Sequence, residues 1–568
     1  MLRKHFRRTL PASQVYRDRL ARELQLIEKF NFANVFLQTR EILDLVPEYR
    51  FITRGSAGCS LVAYLMGIHD MDPVQNNFIL SRFMHENRKD NPDIDVDFAY
   101  NQRDIVLEKV MQKYPGRVAR ISNHVKYQKN SAIRQALRNR GNRKFIPKHF
   151  NLVELTGSNA SAIAEEAALL EGTFKNYSLH CGGIVIFPDK VPEHLKISNS
   201  QIKLNKDEIE DRGYFKIDLL CNRGLAQLND LSSRSLDDYP EYDSETASIF
   251  QNGDTWGVTF AESPAQRRLH LDIRPSCRSE VAFSLALIRP LPSADGRKIK
   301  ILDQFHKTGS YDGCLVYDDD GIRFIQGILN CSESEAESFR KGFSKKDAGR
   351  IDEFKELIKD NPDRNKIMKE LGYFSLYSFC RAHAMSYAKL VWALAYEKVR
   401  QPKKFWWSAL NHAQSLYRPW VHVQEAKKAG LKFAAFGRGP WKLIGDELHP
   451  SHVDSIHDGW NQHAHRGYWT SNRFMPGMFS QKFGNFMRFR GLIATGRYHT
   501  VGGREITFIT IGTDTGKYLD LVLDGTYEFD RFDVVEGEGW LKNNSIQCQN
   551  ISFDKLSKEP QQKMLFAI

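Results

Sequence analysis

The stretch Pro92-Asp93-Ile94-Asp95-Val96-Asp97-Phe98 decides the fold. In a strand, successive side chains point to opposite faces. Asp93, Asp95 and Asp97 then fall on one face and Ile94, Val96 and Phe98 on the other. The apolar face packs into a core, while the acidic face gathers like charge that costs free energy unless a cation neutralises it. Two magnesium ions bridging carboxylates and substrate phosphates would do so, as in two-metal phosphoryl transfer. An Asp-x-Asp standing alone is more often a solvated acidic edge strand, so the surrounding sequence has to decide.

The chain has 568 residues and a formal net charge of +12. At roughly 150 residues per domain, this length holds several domains with substantial cores. The basic balance points to a polyanionic partner, a description that also suits an anionic membrane surface. No apolar run reaches the length of a membrane span, and Met1 to Arg8 is not followed by a signal-peptide core. The expectation is a cytoplasmic protein with no membrane partner. The 8 cysteines are scattered without a Cys-x-x-Cys pair, which argues against a structural zinc site or a disulfide framework.

Charge is unevenly distributed. Residues 111–153 contain no Asp or Glu but eleven Lys or Arg residues, Lys126, Lys129 and Arg134 among them. Such a block repels itself unless a phosphate backbone supplies the counter-charge, so it reads as a nucleic-acid surface. A second acid-free stretch, 459–504, interleaves arginines with aromatics such as Trp460, Phe486, Phe489 and Tyr498. This is the composition of a groove that stacks bases and tracks a backbone, although part of the aromatic set must be core.

Periodicity predicts amphipathic helices over 13–45, a mostly helical region over 240–420 and a linker over 436–458. It predicts short strands over Arg488–Thr495, Glu505–Gly512, Tyr518–Leu523, Asp533–Trp540 and Ile546–Ile551, a set that suits a small barrel of the oligonucleotide-binding (OB) type. Arg54-Gly55-Ser56-Ala57-Gly58 is a small-residue turn before an apolar run. A turn leading into a helix N-terminus can cradle phosphate with free backbone N–H groups. His180-Cys181-Gly182-Gly183 reads as a tight turn entering a buried strand. Tyr214 to Leu220 sets Lys216 and Asp218 in an apolar strand, where the carboxylate must be paired or metal-bound.

A Gly-Ser turn, an Asp-x-Asp strand and a third Asp on a later apolar strand follow the order of polymerase β-like nucleotidyltransferases. The fuller string is more specific. Arg54 to Tyr64, Arg82-Phe83, Pro92 to Phe98, His180 to Ile186 and Lys216-Ile217-Asp218 resemble the palm of the C family, the bacterial DNA polymerase III α-subunits. Ala286 to Pro290 resembles that family's fingers Arg-Pro motif, Phe339 to Lys346 its basic fingers helix, and Arg381 to Ala388 its Lys-Ser-His-Ser-Ala-Ala-Tyr segment. Where the family carries Tyr-Gln-Glu-Gln, this chain reads Tyr317-Asp318-Asp319-Asp320, which puts local fingers contacts in doubt.

The resemblance implies a multidomain α+β protein: a polymerase β-like palm with helical thumb and fingers, and a C-terminal OB-type barrel. Its expected boundaries are palm 1–110 and 179–224, thumb 111–178, fingers 225–435, a linker or reduced helix-hairpin-helix region 436–484, barrel 485–556 and tail 557–568. With almost nothing before the palm, a minimal form without the family's PHP domain is expected. It implies template-directed addition of deoxynucleotides to a primer 3′ end, without proofreading by this chain. The alternatives are a template-independent nucleotidyltransferase and a catalytically silent, clamp-associated DNA-binding protein.

Asp93, Asp95 and Asp218 are then the catalytic carboxylates holding two magnesium ions, with Asp97 in support. Arg54, Gly55, Ser56, Lys216, Arg289, Arg381 and His383 would hold the nucleotide, although Arg289 also suits a turn cap and His383 a core histidine. His180, Gly182, Gly183, Lys126, Lys129, Arg134, Arg340 and Lys341 would meet primer-template DNA. Gln562-Lys563-Met564-Leu565-Phe566 fits the pentapeptide that engages the β sliding clamp, with Gln562, Leu565 and Phe566 as anchors. A separate exonuclease subunit is a further possible partner, in a bacterial or phage-infected cell.

Overall fold

The alternation at 92–98 folds as its period requires. In the computed structural model, Ile94–Ala99 is a strand whose Ile94, Val96 and Phe98 are fully buried. The structure describes residues 1–88, 91–142, 146, 152, 157–198, 200–412, 415–434, 437–453, 479–501, 503–513, 517–529 and 533–554.

Among the described residues the first sheet has seven strands: β1 (Phe51–Arg54), β2 (Ile94–Ala99), β3 (Val118–Lys126), β4 (Phe174–Ile186), β5 (Lys196–Ser198), β6 (Gln201–Ile202) and β7 (Lys216–Asn222). Their order is β1-β2-β7-β4-β3-β6-β5. β2 runs parallel to β7 with Asp95 opposite Asp218, and antiparallel to β1 with Arg54 opposite Asp95. β4 runs antiparallel to β7 with Gly183 opposite Asp218. The strands meet in the register that brings the sequence-distant acids together. One core joins Ile94, Val96, Ile217 and Leu219 to the helices Gln14–Lys29 and Ala33–Asp44 through Leu20, Ile27, Val35 and Phe36. Helical periodicity over 13–45 is thus realised as two amphipathic helices.

From Arg223 to Lys428 the described chain is largely helical, centred on the Arg381–Arg400 helix. Fourteen of that helix's residues are buried, and Trp392 stacks on Phe250 with ring centroids 5.7 Å apart. The barrel strands are β12 (Phe486–Val501), β13 (Arg504–Gly512), β14 (Tyr518–Asp524), β15 (Val534–Lys542) and β16 (Ser545–Asp554), preceded in the chain by β8 (Lys432–Phe433), β9 (Gly437–Ile444), β10 (Glu447–Val453) and β11 (Phe479–Phe483). β12 pairs with both β13 and β15, so five strands close on a core of Phe489, Ile493, Ile511, Leu521 and Val535. This closed barrel is consistent with the OB type. Tyr518 fastens it to the helical region, 4.4 Å from Trp256 and 6.1 Å from Trp420.

Several expectations need correction. Residues 118–126 and 174–178, grouped by sequence with a helical thumb, are strands of the first sheet. Of the described residues between them, Lys129–Asn139 and Ala160–Leu170 form the helical insert. Gly182 and Gly183 lie within β4, at a bulge where residues 180–183 face a single residue of β3, and not at a turn that opens the strand. A Cβ on Gly182 would lie 2.5 Å from the Leu219 carbonyl oxygen, so close strand packing selects glycine there. The linker expected from 436 contains β9 and β10, which form a three-stranded sheet with β8 in the order β8-β10-β9. Its Trp441 is held through the backbone, the carbonyl accepting from Trp407 Nε1 at 2.7 Å and the amide donating to Asn411 at 2.7 Å. In the basic and aromatic stretch, Phe489 is barrel core, Arg488 pairs with Glu538 at 3.0 Å, and Arg490 with Asp554 at 2.7 Å. Residues 459–478 and the tail with Gln562, Leu565 and Phe566 lie outside the described residues.

Candidate active site

Two parallel neighbouring strands in register create the acidic centre. Asp95 on β2 and Asp218 on β7 sit side by side, and Asp93 enters from the residue before β2. One ligand atom from each of the three lies within 4.8 Å of the others. Asp95 Oδ1 and Asp218 Oδ1 are buried and make no hydrogen bond. Hard oxygen donors, closely spaced and with buried lone pairs unsatisfied, are the chemistry a hard divalent cation requires, so the residues fit magnesium.

Protein cations already touch this centre. Lys216 Nζ is 2.9 Å from Asp93 Oδ1 and 2.5 Å from Asp218 Oδ2, and its side chain is 5% exposed. Lys206 Nζ reaches Asp93 Oδ2 at 3.3 Å. Burial raises the Asp93 carboxyl, but Lys216 and Lys206 outweigh it and hold the group below the usual range. Burial first, then the charges of Asp93 and Asp218, push the Asp95 carboxyl up to about 8. The difference reflects position: Asp93 faces two lysines, while Asp95 faces two carboxylates.

Asp97 belongs to a separate network. The Tyr387 hydroxyl donates to Asp97 Oδ2 at 2.9 Å and accepts from Arg54 at 2.9 Å, and Asn222 Nδ2 donates to the same carboxylate at 2.9 Å. Arg54 Nε lies 3.5 Å from Asp97 and 3.8 Å from Asp95. Asp97 therefore ties β2 to Tyr387, Asn222 and Arg54.

The Gly-Ser turn differs from a helix-terminus cradle. Gly55 has φ +77°, a left-handed conformation that favours glycine, and opens a single-turn helix, Gly55–Cys59. The next helix, Leu61–Leu65, has its N-terminus filled from within: Glu23 accepts from Leu61 N at 2.7 Å, Val62 N at 3.0 Å and the Ser60 hydroxyl at 2.8 Å. Its N–H groups are spent on a buried glutamate. Ser56 stays half-buried on the preceding turn, beside Arg54 and the acids.

On the helical side, Arg289 precedes the short helix Pro290–Ser293 and stacks over Phe379 at 3.7 Å, its buried Nε without a hydrogen bond. His383 stacks on the same ring at 4.3 Å and meets Tyr387 edge-on at 4.8 Å. Burial, then Arg54 and Arg289, push His383 down to about 3, so it is neutral across the physiological range. Arg381 starts the Arg381–Arg400 helix, its amide donating to Asp319 at 2.5 Å. The Tyr387 hydroxyl therefore ties the Arg289–Phe379–His383 stack to the acidic face.

His180 Nδ1 accepts from the Gly183 amide at 2.8 Å and stands 3.7 Å from Asp218 Oδ1. Lys126 and Lys129 are exposed at the base of the helical insert, and Arg134 is half-buried in it. Arg340 does not fit a DNA contact. It is 6% exposed and ion-paired with Glu337, Nε to Oε2 at 2.5 Å, inside the same buried network as Asp318. Lys341, half-buried one position on, lines a cavity of about 330 Å³ with Arg82, Arg88 and Lys345. In the Tyr-Asp-Asp-Asp segment, Asp318 pairs with Arg82 at 2.8 Å and Asp320 accepts from the Val316 and Tyr317 amides at 2.9 and 2.8 Å. Lys206, Glu23, Arg82 and Tyr387 are site or support residues to which sequence reasoning gave no role. Tyr387 and Arg82 lie within the matched motifs, whereas nothing local marks Lys206 or Glu23.

Comparison with known proteins shows what the chain is similar to. The family described as bacterial DNA polymerase III alpha NTPase domain matches residues 1–221, and the bacterial DNA polymerase III alpha subunit finger domain matches residues 223–366. The chain is 28% identical over 465 residues to DNA polymerase III subunit alpha of Mycoplasma genitalium, covering 71% of this chain and 53% of that protein. It is 25% identical over 502 residues to the subunit of the same name from Aquifex aeolicus, covering 73% and 43%. To the error-prone DNA polymerase of Teredinibacter turnerae it is 26% identical over 476 residues, covering 72% and 46%. The chain spans about half the length of the curated relatives it matches.

Proposed function

The chain belongs to the C family of bacterial DNA polymerases, that of the polymerase III α-subunit, and on that premise we propose that it is a DNA-directed DNA polymerase. It would add deoxynucleotides to a primer 3′ end and release pyrophosphate. The observation that carries this reading is the convergence of Asp93, Asp95 and Asp218, ligand atoms within 4.8 Å, from adjacent strands. These three carboxylates are the residues that would hold divalent cations, expected to be two magnesium ions. When bound, such ions polarise the phosphoryl oxygens and favour ionisation of the primer hydroxyl. No described helix is long and apolar enough to cross a membrane.

The other assignments follow from charge and position. Arg54 lies beside Asp95 with Ser56 on the following turn, and His383, stacked with Arg289 on Phe379, reaches the Asp97–Arg54 network through Tyr387. With Arg381 at the start of the same helix, these groups would hold and orient the triphosphate. The buried Arg289 Nε, without a protein acceptor, is suited to an anionic ligand. Neutral His383 donates or accepts without adding charge. His180, fixed by the Gly183 amide beside Asp218, borders the place of the primer terminus. The seven-stranded sheet is then the palm, the helical insert with Lys126, Lys129 and Arg134 the thumb, and the Arg223–Lys428 region the fingers. Clamp tethering through Gln562, Leu565 and Phe566, and extension without proofreading, belong to the same proposal and rest on sequence alone.

Primer extension tests it. Template-dependent products that vanish in Asp93→Asn and Asp95→Asn are expected. Untemplated tailing would replace the reading with a terminal nucleotidyltransferase, and DNA binding without any extension would replace it with a DNA-binding scaffold.

A further inference from the structure

Lys216 is the one group that contacts two members of the triad at ion-pair distance among the described residues, Asp93 at 2.9 Å and Asp218 at 2.5 Å. Its backbone is fixed in the sheet, with Lys216 opposite Val185 on one side and Ile217 opposite Ile94 on the other. Only the side chain is free to change position. Lys206 differs: it touches Asp93 at 3.3 Å but also Glu210 of its own helix at 3.7 Å, so it has another anion to turn to. Among the described residues, the ion pairs of Lys216 are with the triad alone.

We infer that Lys216 is a built-in counter-cation of the triad that must leave Asp93 and Asp218 before a divalent cation is held there, so that the site takes its cation together with a polyphosphate and not alone. The inference rests on the reading of Asp93, Asp95 and Asp218 as cation ligands. An ammonium lying between two carboxylates excludes a second cation from them by space and by charge. Moving that ammonium off without a new partner would leave a buried charge unpaired, which is expensive. A polyphosphate supplies the missing partner, since its oxygens accept from the displaced ammonium while its negative charge offsets the entering cation. Metal entry and nucleotide entry are thereby coupled through one side chain, and each strengthens the other by the same factor.

Calorimetric titration of the full chain with Mn²⁺, with and without inorganic tripolyphosphate, tests this without any turnover. The wild type should bind Mn²⁺ about ten-fold or more tightly when tripolyphosphate is present. Lys216→Gln should tighten Mn²⁺ binding in the absence of tripolyphosphate and shrink the enhancement, and Lys216→Met should do the same. Lys216→Arg, which keeps the charge, should restore the wild-type pattern. Unchanged or weaker Mn²⁺ binding in both Lys216→Gln and Lys216→Met would overturn the inference. If neither variant folds, the wild type decides: affinity indifferent to tripolyphosphate overturns it. Asp95→Asn separates the two levels, because Mn²⁺ binding undiminished in that variant would sink the ligand assignment itself.

Discussion

Arg82 and Asp318, 236 residues apart, form a two-bond ion pair in which both the Nε and an Nη of Arg82 donate to Asp318 Oδ2, at 3.0 and 2.8 Å. The pair joins the segment before the acidic strand to the helical region. It lies beside Arg340, whose own partner is Glu337, so two guanidiniums and two carboxylates balance one another in a mostly buried network.

Asp318→Ala leaves Arg82 without its main partner beside a second buried arginine. Breaking a buried pair from one side costs about 3–5 kcal/mol, and the partial exposure of Arg82 puts the expected loss near ~3 kcal/mol. Urea unfolding of wild type and variant measures it, and a change below about 1 kcal/mol would refute the network's role.

Asp319 gives a pH signature. Burial, then the neighbouring Asp318 charge, push its carboxyl up from the ordinary 3.8 to about 8. A carboxyl with a raised folded-state value binds its proton more tightly when folded. Its contribution is therefore complete below pH 3.8 and is lost as pH rises through about 8. The thermal midpoint of the wild type should fall between pH 6 and pH 9 more steeply than that of Asp319→Asn, in which nothing titrates at this position. Parallel curves would contradict the assignment.

Tyr387→Phe removes the hydroxyl shared by Asp97 and Arg54. Hydrogen bonds to charged groups contribute about 1.5–3 kcal/mol, so the variant should lose stability in that range. With Arg54 no longer aimed, nucleotide KM should rise in steady-state extension assays while DNA affinity stays level. Equal loss of both would assign Tyr387 to general packing.

Glu23→Ala orphans the Leu61 and Val62 amides and the Ser60 hydroxyl in one step. With about 1–3 kcal/mol for each buried group left unsatisfied, a loss above 3 kcal/mol is expected from denaturant unfolding. Glu23→Gln should recover part of it, since the amide oxygen still accepts.

Deleting residues 560–568 should shorten extension products only when sliding clamp is present. Length distributions on a long primed template, with and without clamp, separate tethering from a stability effect. Shortening in both conditions would remove the clamp assignment.

Much of this architecture was readable because its signals are local. Because period-2 burial leaves a direct trace in sequence, alternation between Arg488 and Ile551 located the five barrel strands, four of them to within three residues at either end, while β12 runs six residues past the expected Thr495. The triad was legible because Asp93 and Asp95 sit in a strand pattern and Asp218 in another. What escaped depends on tertiary contact. Lys206 is an ordinary helix lysine until the fold brings it to Asp93, and Glu23 reads as one charge on an amphipathic helix until it caps the Leu61–Leu65 helix. The Gly437–Ile444 and Glu447–Val453 strands were hidden because Pro440, Pro450 and Gly445 read as linker chemistry, although Gly445, at φ +59°, serves the turn between them. Gly182 and Gly183 suggested a turn because a glycine chosen for close strand approach looks, in sequence, like one chosen for its backbone angles.

β4 has a geometric consequence. Between Leu179, opposite Ser122, and Ile184, opposite Arg120, four residues of β4 face one residue of β3. Such a bulge bends its strand and increases the local twist. On one side of it Gly183 lies opposite Asp218; on the other, Asn176 and Phe174 pair with Val125 and Lys126 and lead into the helical insert. The bulge also holds His180, 3.7 Å from Asp218 Oδ1. The bend in the ribbon that carries the insert and the wall of the acidic centre are thus one short segment.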